Sequence, residues 1–368
     1  MFKNKIPLLK VSLPKKKILI SKLSKTLYSG NIAEGKIVYE FEKNFQKKFN
    51  YINYNVLAVN SGTAALHIAY MLCKIKKGDE IISSPVTAEP TNIAILHAGG
   101  RVRFADVNPL TGNLDPKSVE KNINKNTRAI CIVHYGGYPA EVDKIKKIAK
   151  KYKLYLIEDC AHALGAKISN KFVGSFGDFS IFSFQAVKQI TTIDGGILLI
   201  KNKKFYKKAK RIRWFGLTKS LARSKNRIKD LGYKYNMNNI TAVIGKLQLK
   251  QINKLNSISI KNARLFEKAI KSNPNLQNSP IAKNNKSVYW LFNVLTKNSL
   301  RLIKKLNYFG IEASKVHVLN NIHPIFNSNK LNLKGCEEFY KKILHIPCGW
   351  WLKKSKRNII INILKNFK

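Results

Sequence analysis

From Asn55 onward the chain alternates short apolar runs with helix-like segments, and this alternation limits the possible fold more than any other feature of the sequence. Residues 56–59, 80–83, 102–106 and 129–133 read as strands, and residues 64–72, 91–97 and 140–151 read as helices between or after them. Strands separated by helices predict a mostly parallel sheet with helices on both faces. Ligands of such sheets gather at the carboxyl ends of the strands. Further on, residues 239–273 read as a long helical passage with a break. Residues 288–295 and 311–318 read as strands, and 300–309 and 356–366 as helices.

Three apolar runs near the middle carry the chemistry. The first ends in Glu158-Asp159, the second is followed by Lys188 four residues later, and the third begins at Gly195-Gly196. An aspartate at a strand end, taken alone, is most often a cap or turn residue. A lysine in a turn between two apolar strands has little structural work there, whereas a partly desolvated amine suits imine chemistry. Earlier, the turn Asn60-Ser61-Gly62-Thr63 leads from a strand into a helix whose first N–H groups and dipole favour a phosphate. Alone it is a common N-cap. A lysine, a carboxylate for a ring nitrogen and a phosphate cradle are together the set that pyridoxal phosphate requires.

The motifs also occur in a recognisable order: Phe41-Glu42 after Gly35, Ser61-Gly62-Thr63-Ala64-Ala65-Leu66, Gly78-Asp79-Glu80, Glu158-Asp159-Cys160-Ala161-His162, Ser183-Phe184 with Lys188, Gly195-Gly196, and Gly232-Tyr233-Lys234-Tyr235-Asn236. Over nearly its whole length the sequence resembles the DegT/DnrJ/EryC1/StrS family of sugar aminotransferases. The resemblance implies a fold type I pyridoxal phosphate transferase, α/β in class. An N-terminal arm and large domain would span residues 1–245, and a smaller α/β domain residues 246–368. It makes Lys188 the cofactor-bonding and proton-transferring residue and Asp159 the partner of the pyridine nitrogen. Ala161 is expected on a ring face, His162 near the phenolic oxygen, and Gly62, Thr63 and Ser183 on the phosphate. Asn236 would reach the phosphate from a neighbouring subunit, which implies a homodimer with shared sites; the alternative for Asn236 is a helix cap before Asn239.

The resemblance further implies transfer of an amino group from glutamate to a keto group of a nucleotide-linked sugar, 4-keto-6-deoxy in the usual case, for amino-sugar or surface polysaccharide biosynthesis. One departure stands out: residues 84–92 are small or polar where many relatives place an aromatic on the ring. Thr87 or Ala88 takes that position here. Thr87, Glu89, His317 and Asn320 are expected near the substrate, and the basic loop 219–229 near a diphosphate. Two other readings are a sugar dehydratase, which Lys188 opposes because the known ones carry histidine there, and a non-catalytic regulatory or nucleic-acid-binding protein on the same fold.

The 368 residues suffice for two domains. No apolar run approaches the length of a membrane span, and lysines interrupt the N-terminal apolar stretches too often for a signal peptide. A soluble, cytoplasmic protein without membrane insertion is expected. Five widely spaced cysteines suggest neither a disulfide framework nor a metal site, and Cys160 reads as packing. The formal charge of +48, from 68 Lys and Arg against 20 Asp and Glu, invites nucleic acid as a partner. The charge is spread along the chain, however. Its densest segment, 203–213, sets Phe205, Ala209 and Ile212 at helical spacing, the pattern of a solvated basic face over an apolar stripe. Only nonspecific binding to polyanions at low salt is expected.

Overall fold

The structure, a computed structural model, describes residues 5–326 and 331–368. Residues 1–4 of the N-terminal stretch lie outside the described residues. Two helices, α1 (Lys16–Leu27) and α2 (Lys36–Lys48), lead into β1 (Asn55–Val59) and α3 (Gly62–Leu72). Then follow β2 (Glu80–Ser83), α4 (Glu89–His97), β3 (Arg101–Phe104), α5 (Pro116–Lys121), β4 (Thr127–Val133), α6 (Val142–Lys151) and β5 (Tyr155–Asp159). A short hairpin, β6 (Lys167–Ile168) and β7 (Lys171–Phe172), precedes β8 (Phe179–Ser183), β9 (Gly196–Ile200) and α7 (Lys203–Ile212).

Seven strands form one sheet in the order β1-β9-β8-β5-β4-β2-β3. All pairings are parallel except the two that β9 makes with β1 and β8. The reversal matters, because β9 begins where its neighbours end: Gly196 stands opposite both Val59 and Ser183. Burial of both sheet faces explains why β8 and β9 are nearly continuous apolar runs rather than alternating ones. One face packs on Phe41, Phe45 and Phe184, the other on α3 residues such as Ala65 and Ile68.

The helical passage is broken as expected, into α8 (Asn239–Leu249) and α9 (Ile252–Lys271). Beyond it lies a three-stranded antiparallel sheet of β10 (Gln277–Asn278), β11 (Phe292–Leu295) and β12 (Ile343–Ile346), with helices α10 (Ser299–Tyr308), α11 (Lys334–Lys342) and α12 (Lys354–Lys365). Its core joins Phe266, Phe292, Leu302, Leu344 and Leu364. The α/β class is borne out, with three corrections. Residues 311–318 are not a strand. They make isolated bridges at Ile311 and Ser314, and beyond Ser314 the Val316 N–H goes to the His345 imidazole instead of a strand carbonyl. The strand expected at 288–295 starts only at Phe292, because Tyr289 has a left-handed backbone (φ 48°). Finally, the first described residues join this second core, not the large one: Ile6 bonds to Gly310 and Glu312, and Trp351 Nε1 donates to Pro7 O.

Adjacent residues of β5 serve opposite purposes, since strand side chains alternate. Glu158 is fully buried. It accepts the N–H groups of Gly174 (2.8 Å), Phe176 (2.7 Å) and Gly177 (2.6 Å), and lies 3.2 Å from His134 Nε2. Burial alone would raise its pKa, but the His134 hydrogen bond and the backbone donors hold it below the ordinary value. His134, Glu158 and Cys160 cluster closely enough to suggest a metal site. However, His134 Nδ1 accepts from Ala140 N–H, Glu158 is already satisfied, and burial pushes the Cys160 thiol well up. The cluster is therefore a closed core network. Glu158→Ala, which strands its donors, is expected to lower the unfolding free energy by about 3–5 kcal/mol at neutral pH in denaturant titrations. Because the folded pKa is depressed, the difference should shrink as acid protonates the wild-type carboxylate.

Candidate active site

A cavity of about 380 Å³ opens at the carboxyl edge of the large sheet. Its walls come from four places: the start of α3, the start of α4, the segment after β5, and the turn from β8 to β9. Gly62, Thr63, Thr87, Glu89, Asp159, Ala161, His162, Ser183 and Lys188 all line it, so the sequence-derived residues converge although they are scattered over 127 positions' worth of chain, from 62 to 188.

The amine of half-buried Lys188 lies 4.2 Å from the centre of the Trp290 ring. Burial lowers its pKa to about 8, and Asp159 opposes that shift. Asp159 is buried at the last position of β5. Its Oδ1 accepts from Ala161 N–H (3.0 Å) and its Oδ2 from the Thr91 hydroxyl (2.8 Å). Burial raises its pKa, while these two donors, Lys188 and His134 pull it down.

His162 stacks on Trp290, with centroids 4.0 Å apart at 19°, and lies parallel to His317 at 5.6 Å and 3°. Burial, then the nearby Lys188, pushes both imidazoles down, His317 to about 4, so both are neutral at physiological pH. Each keeps a buried nitrogen without a partner among the described residues, Nδ1 of His162 and Nε2 of His317.

At the phosphate end, Ser61 caps α3 by accepting from Ala64 N–H (3.0 Å), which leaves the first N–H groups of the helix without intrahelical acceptors. Close approach requires glycine here. A Cβ on Gly62 would meet Ser183 Cβ at 2.9 Å, and one on Gly196 would meet Ser61 O at 2.6 Å. These features fit pyridoxal phosphate: a helix start for the phosphate, a buried carboxylate for the ring nitrogen, an unpartnered His162 nitrogen and an amine of lowered pKa.

Three predicted residues are not walls of the cavity: Asn320, Asn236 and His317, whose ring stacks on that of His162. Asn320 is fully buried. It donates to Thr87 O (2.9 Å) and accepts from Asn92 (2.7 Å), so it shapes the 84–92 loop and is not a wall of the cavity. Asn236 also lies off the cavity, with its amide on Lys234 Nζ (3.0 Å) and Met237 O (3.3 Å). The cap of α8 is Asn238, which accepts from Thr241 N–H. In the basic loop, Lys219 pairs with buried Glu34 at 3.3 Å. Sequence reasoning did not single out Thr91, Gln185, Asp194 or Trp290. Thr91 carried a signal, a hydroxyl four residues after Thr87 in the segment already under scrutiny. Trp290 carried none.

A buried carboxylate, a depressed-pKa lysine and a phosphate cradle at one sheet edge define a pyridoxal phosphate-type aminotransferase site on a fold type I scaffold. The chain belongs to the DegT/DnrJ/EryC1/StrS aminotransferase family, whose model matches residues 15–365. It is 32% identical over 364 residues to the UDP-4-amino-4,6-dideoxy-N-acetyl-beta-L-altrosamine transaminase of Campylobacter jejuni, covering 95% of both chains. It is 33% identical to the GDP-perosamine synthase of Escherichia coli O157:H7, covering 86% of this chain and 84% of that one. Among solved structures, Helicobacter pylori PseC, an aminotransferase involved in pseudoaminic acid biosynthesis, superimposes with a TM-score of 0.90 at 27% identity over 98% of each chain.

The Lys188 amine of the cofactor-free protein should titrate near about 8 in pH-dependent acetylation followed by peptide mass spectrometry. Asp159→Asn removes the charge that props this value up and should lower it further; an unchanged or higher value would contradict the geometry.

Proposed function

We propose that the protein transfers an amino group, from L-glutamate, to a keto carbon of a nucleotide-linked 4-keto-6-deoxy sugar, in amino-sugar or surface polysaccharide biosynthesis. The observation that carries this reading is the meeting of Lys188, Asp159 and the α3 start in one cavity. The names of the relatives supply the substrate class. Five buried free cysteines suit a reducing, cytoplasmic setting.

Pyridoxal phosphate, when bound, supplies an electron sink for the carbon next to the transferred nitrogen. The residues of this chain do the rest. Lys188 would hold the cofactor and, with a pKa near about 8, take and return a proton at that carbon close to neutral pH. Asp159, whose charge its two donors favour against burial, would hold a proton on the ring nitrogen. Gly62, Thr63 and Ser183 would fix the phosphate, Ala161 would lie flat against the ring, and neutral His162 would meet the phenolic oxygen. Thr87 and Ala88 leave the opposite ring face without an aromatic cover. Glu89, in the cavity wall, and His317, stacked on His162, would meet the sugar.

A homodimer with shared sites is part of this reading, and the charge of the cavity supports it. Its lining holds three carboxylates, Glu89, Asp159 and Asp194, and among the described lining residues only Lys188 is cationic. A dianionic phosphate there gains from a polar or cationic group of a second chain, and Asn236, hydrogen-bonded to Lys234, offers both.

With pyridoxal phosphate added, wild-type protein should show a band near ~420 nm that glutamate bleaches and Lys188→Ala lacks. Absence of the band in folded protein would refute the reading. Lys188→Ala and Asn236→Ala subunits, each inactive alone, should partly restore activity when mixed and re-associated; no recovery in confirmed heterodimers would refute the shared site.

A further inference from the structure

The side chain of Asp159 is fixed by a chain of two hydroxyls in the wall of the same cavity. Thr91 Oγ1 lies 2.8 Å from Asp159 Oδ2, and Thr87 Oγ1 lies 3.0 Å from Thr91 Oγ1. Both threonines are buried, at 1% and 3% exposure, so water does not substitute for either contact. The direction of the chain follows from proton counting. An ionised carboxylate has no hydrogen to give, so the one proton of Thr91 goes to Asp159, and Thr87 must donate to Thr91.

The ordinary explanation of Thr91 does not apply. A threonine within a helix commonly turns its hydroxyl to the carbonyl four residues back. Here that carbonyl belongs to Thr87 and accepts from Asn320 Nδ2 at 2.9 Å, while the Thr91 hydroxyl goes to Asp159. Nor does either threonine cap α4, whose N-cap position is Ala88, with no side-chain cap bond. The backbone of the pair is tied down independently, since Tyr70 OH donates to Thr91 O (3.2 Å) and Thr91 N–H to Ala88 O. Both hydroxyls are therefore free of structural duty and committed to Asp159.

We propose that Thr91, backed by Thr87, is a positioning residue for the transamination. Together with Ala161 N–H on the other oxygen, it locks the rotation of the Asp159 carboxylate and favours its ionised form, so that the acceptor facing the ring nitrogen stays charged. Protonating Asp159 would deprive Thr91 of its charged acceptor, and the ordering of the whole chain would be lost with it. The inference rests on the pyridoxal phosphate reading for its purpose but not for its geometry.

The test uses Thr91→Val, which keeps shape and removes the hydroxyl, Thr91→Ser, which restores it, Thr87→Val, and the double valine variant. In cofactor-free protein, the Asp159 carboxyl is followed by carbon-13 NMR, its signal assigned by its loss in Asp159→Asn. Thr91→Val should raise its pKa by about one unit, a tenfold change in the ionisation constant, and Thr91→Ser should leave it near the wild-type value. In spectral titrations, pyridoxal phosphate affinity should fall about tenfold in Thr91→Val and about threefold in Thr87→Val. Thr87→Val should add nothing in the Thr91→Val background, because the link it feeds is already gone.

An unchanged carboxyl titration in folded Thr91→Val, or equal costs of Thr87→Val in both backgrounds, would overturn the proposal. If Thr91→Val does not fold, Thr87→Val alone decides: no change in either the carboxyl titration or the cofactor affinity would overturn it. A wild-type protein that binds no pyridoxal phosphate would sink the function, while the NMR titration would still decide the role of the hydroxyl chain.

Discussion

Everything at the carboxyl edge of the large sheet depends on keeping Asp159 charged while it is buried. Taking a carboxylate out of water is costly unless donors replace its hydration. The protein supplies a backbone N–H on one oxygen, a hydroxyl on the other, and the Lys188 amine in the same cavity. The same burial that raises the Asp159 pKa lowers that of Lys188, and the attraction between the two groups opposes both shifts. A drier site would push the carboxylate further toward its neutral form, and a wetter one would return the amine toward its ordinary, higher pKa.

The reversed direction of β9 completes the arrangement. In an all-parallel sheet the chain leaving β8 would cross over through a long connection, usually a helix. Here a turn carries Lys188 directly between β8 and the start of β9, and Gly196 arrives beside Ser61 and Ser183 with no side chain between the backbones, while Gly195 lies against Thr192 and Met237. The glycines are thus required by distance and not by backbone angle. The phosphate cradle and the lysine turn belong to adjacent strands of one sheet, which fixes their separation more firmly than two independent loops would.

The large sheet was legible because its strands are short apolar runs with helix-like spacing between them, and Lys188, Asp159 and the Ser61-Gly62-Thr63 turn could be read from their positions at strand ends. What escaped was set by tertiary contacts. The strand expected at 311–318 failed because His345, far along the chain, captures the N–H of Val316. Asn320 looked like a substrate contact by position but is spent on the 84–92 loop. Trp290, which stacks on His162 and donates to Val187 O (2.9 Å), comes from the segment just before β11, packed with Leu8 and Leu291, and has no local pattern to announce it. Sequence periodicity places a residue on its own element and says nothing about which distant element will meet it.

The large positive charge takes its place in the same physical account. Carboxylates are scarce in this chain, yet Glu34, Glu42, Asp79, Glu158 and Asp159 are buried. Glu34 and Glu42 flank buried Arg213, Asp79 accepts from Arg128, and Glu158 and Asp159 serve the loop and the site described above. The lysines, by contrast, lie mostly on outer helix faces: on α7 the apolar stripe of Ala209 and Ile212 is buried while the basic residues face solvent. A gain of surface lysines costs little, because exposed charges are screened by water and salt. Loss of any of the buried carboxylates would leave donors stranded in the interior. The composition could therefore drift toward lysine on the outside only, and the acidic residues that persist in the interior mark the places where the fold and the site cannot do without them.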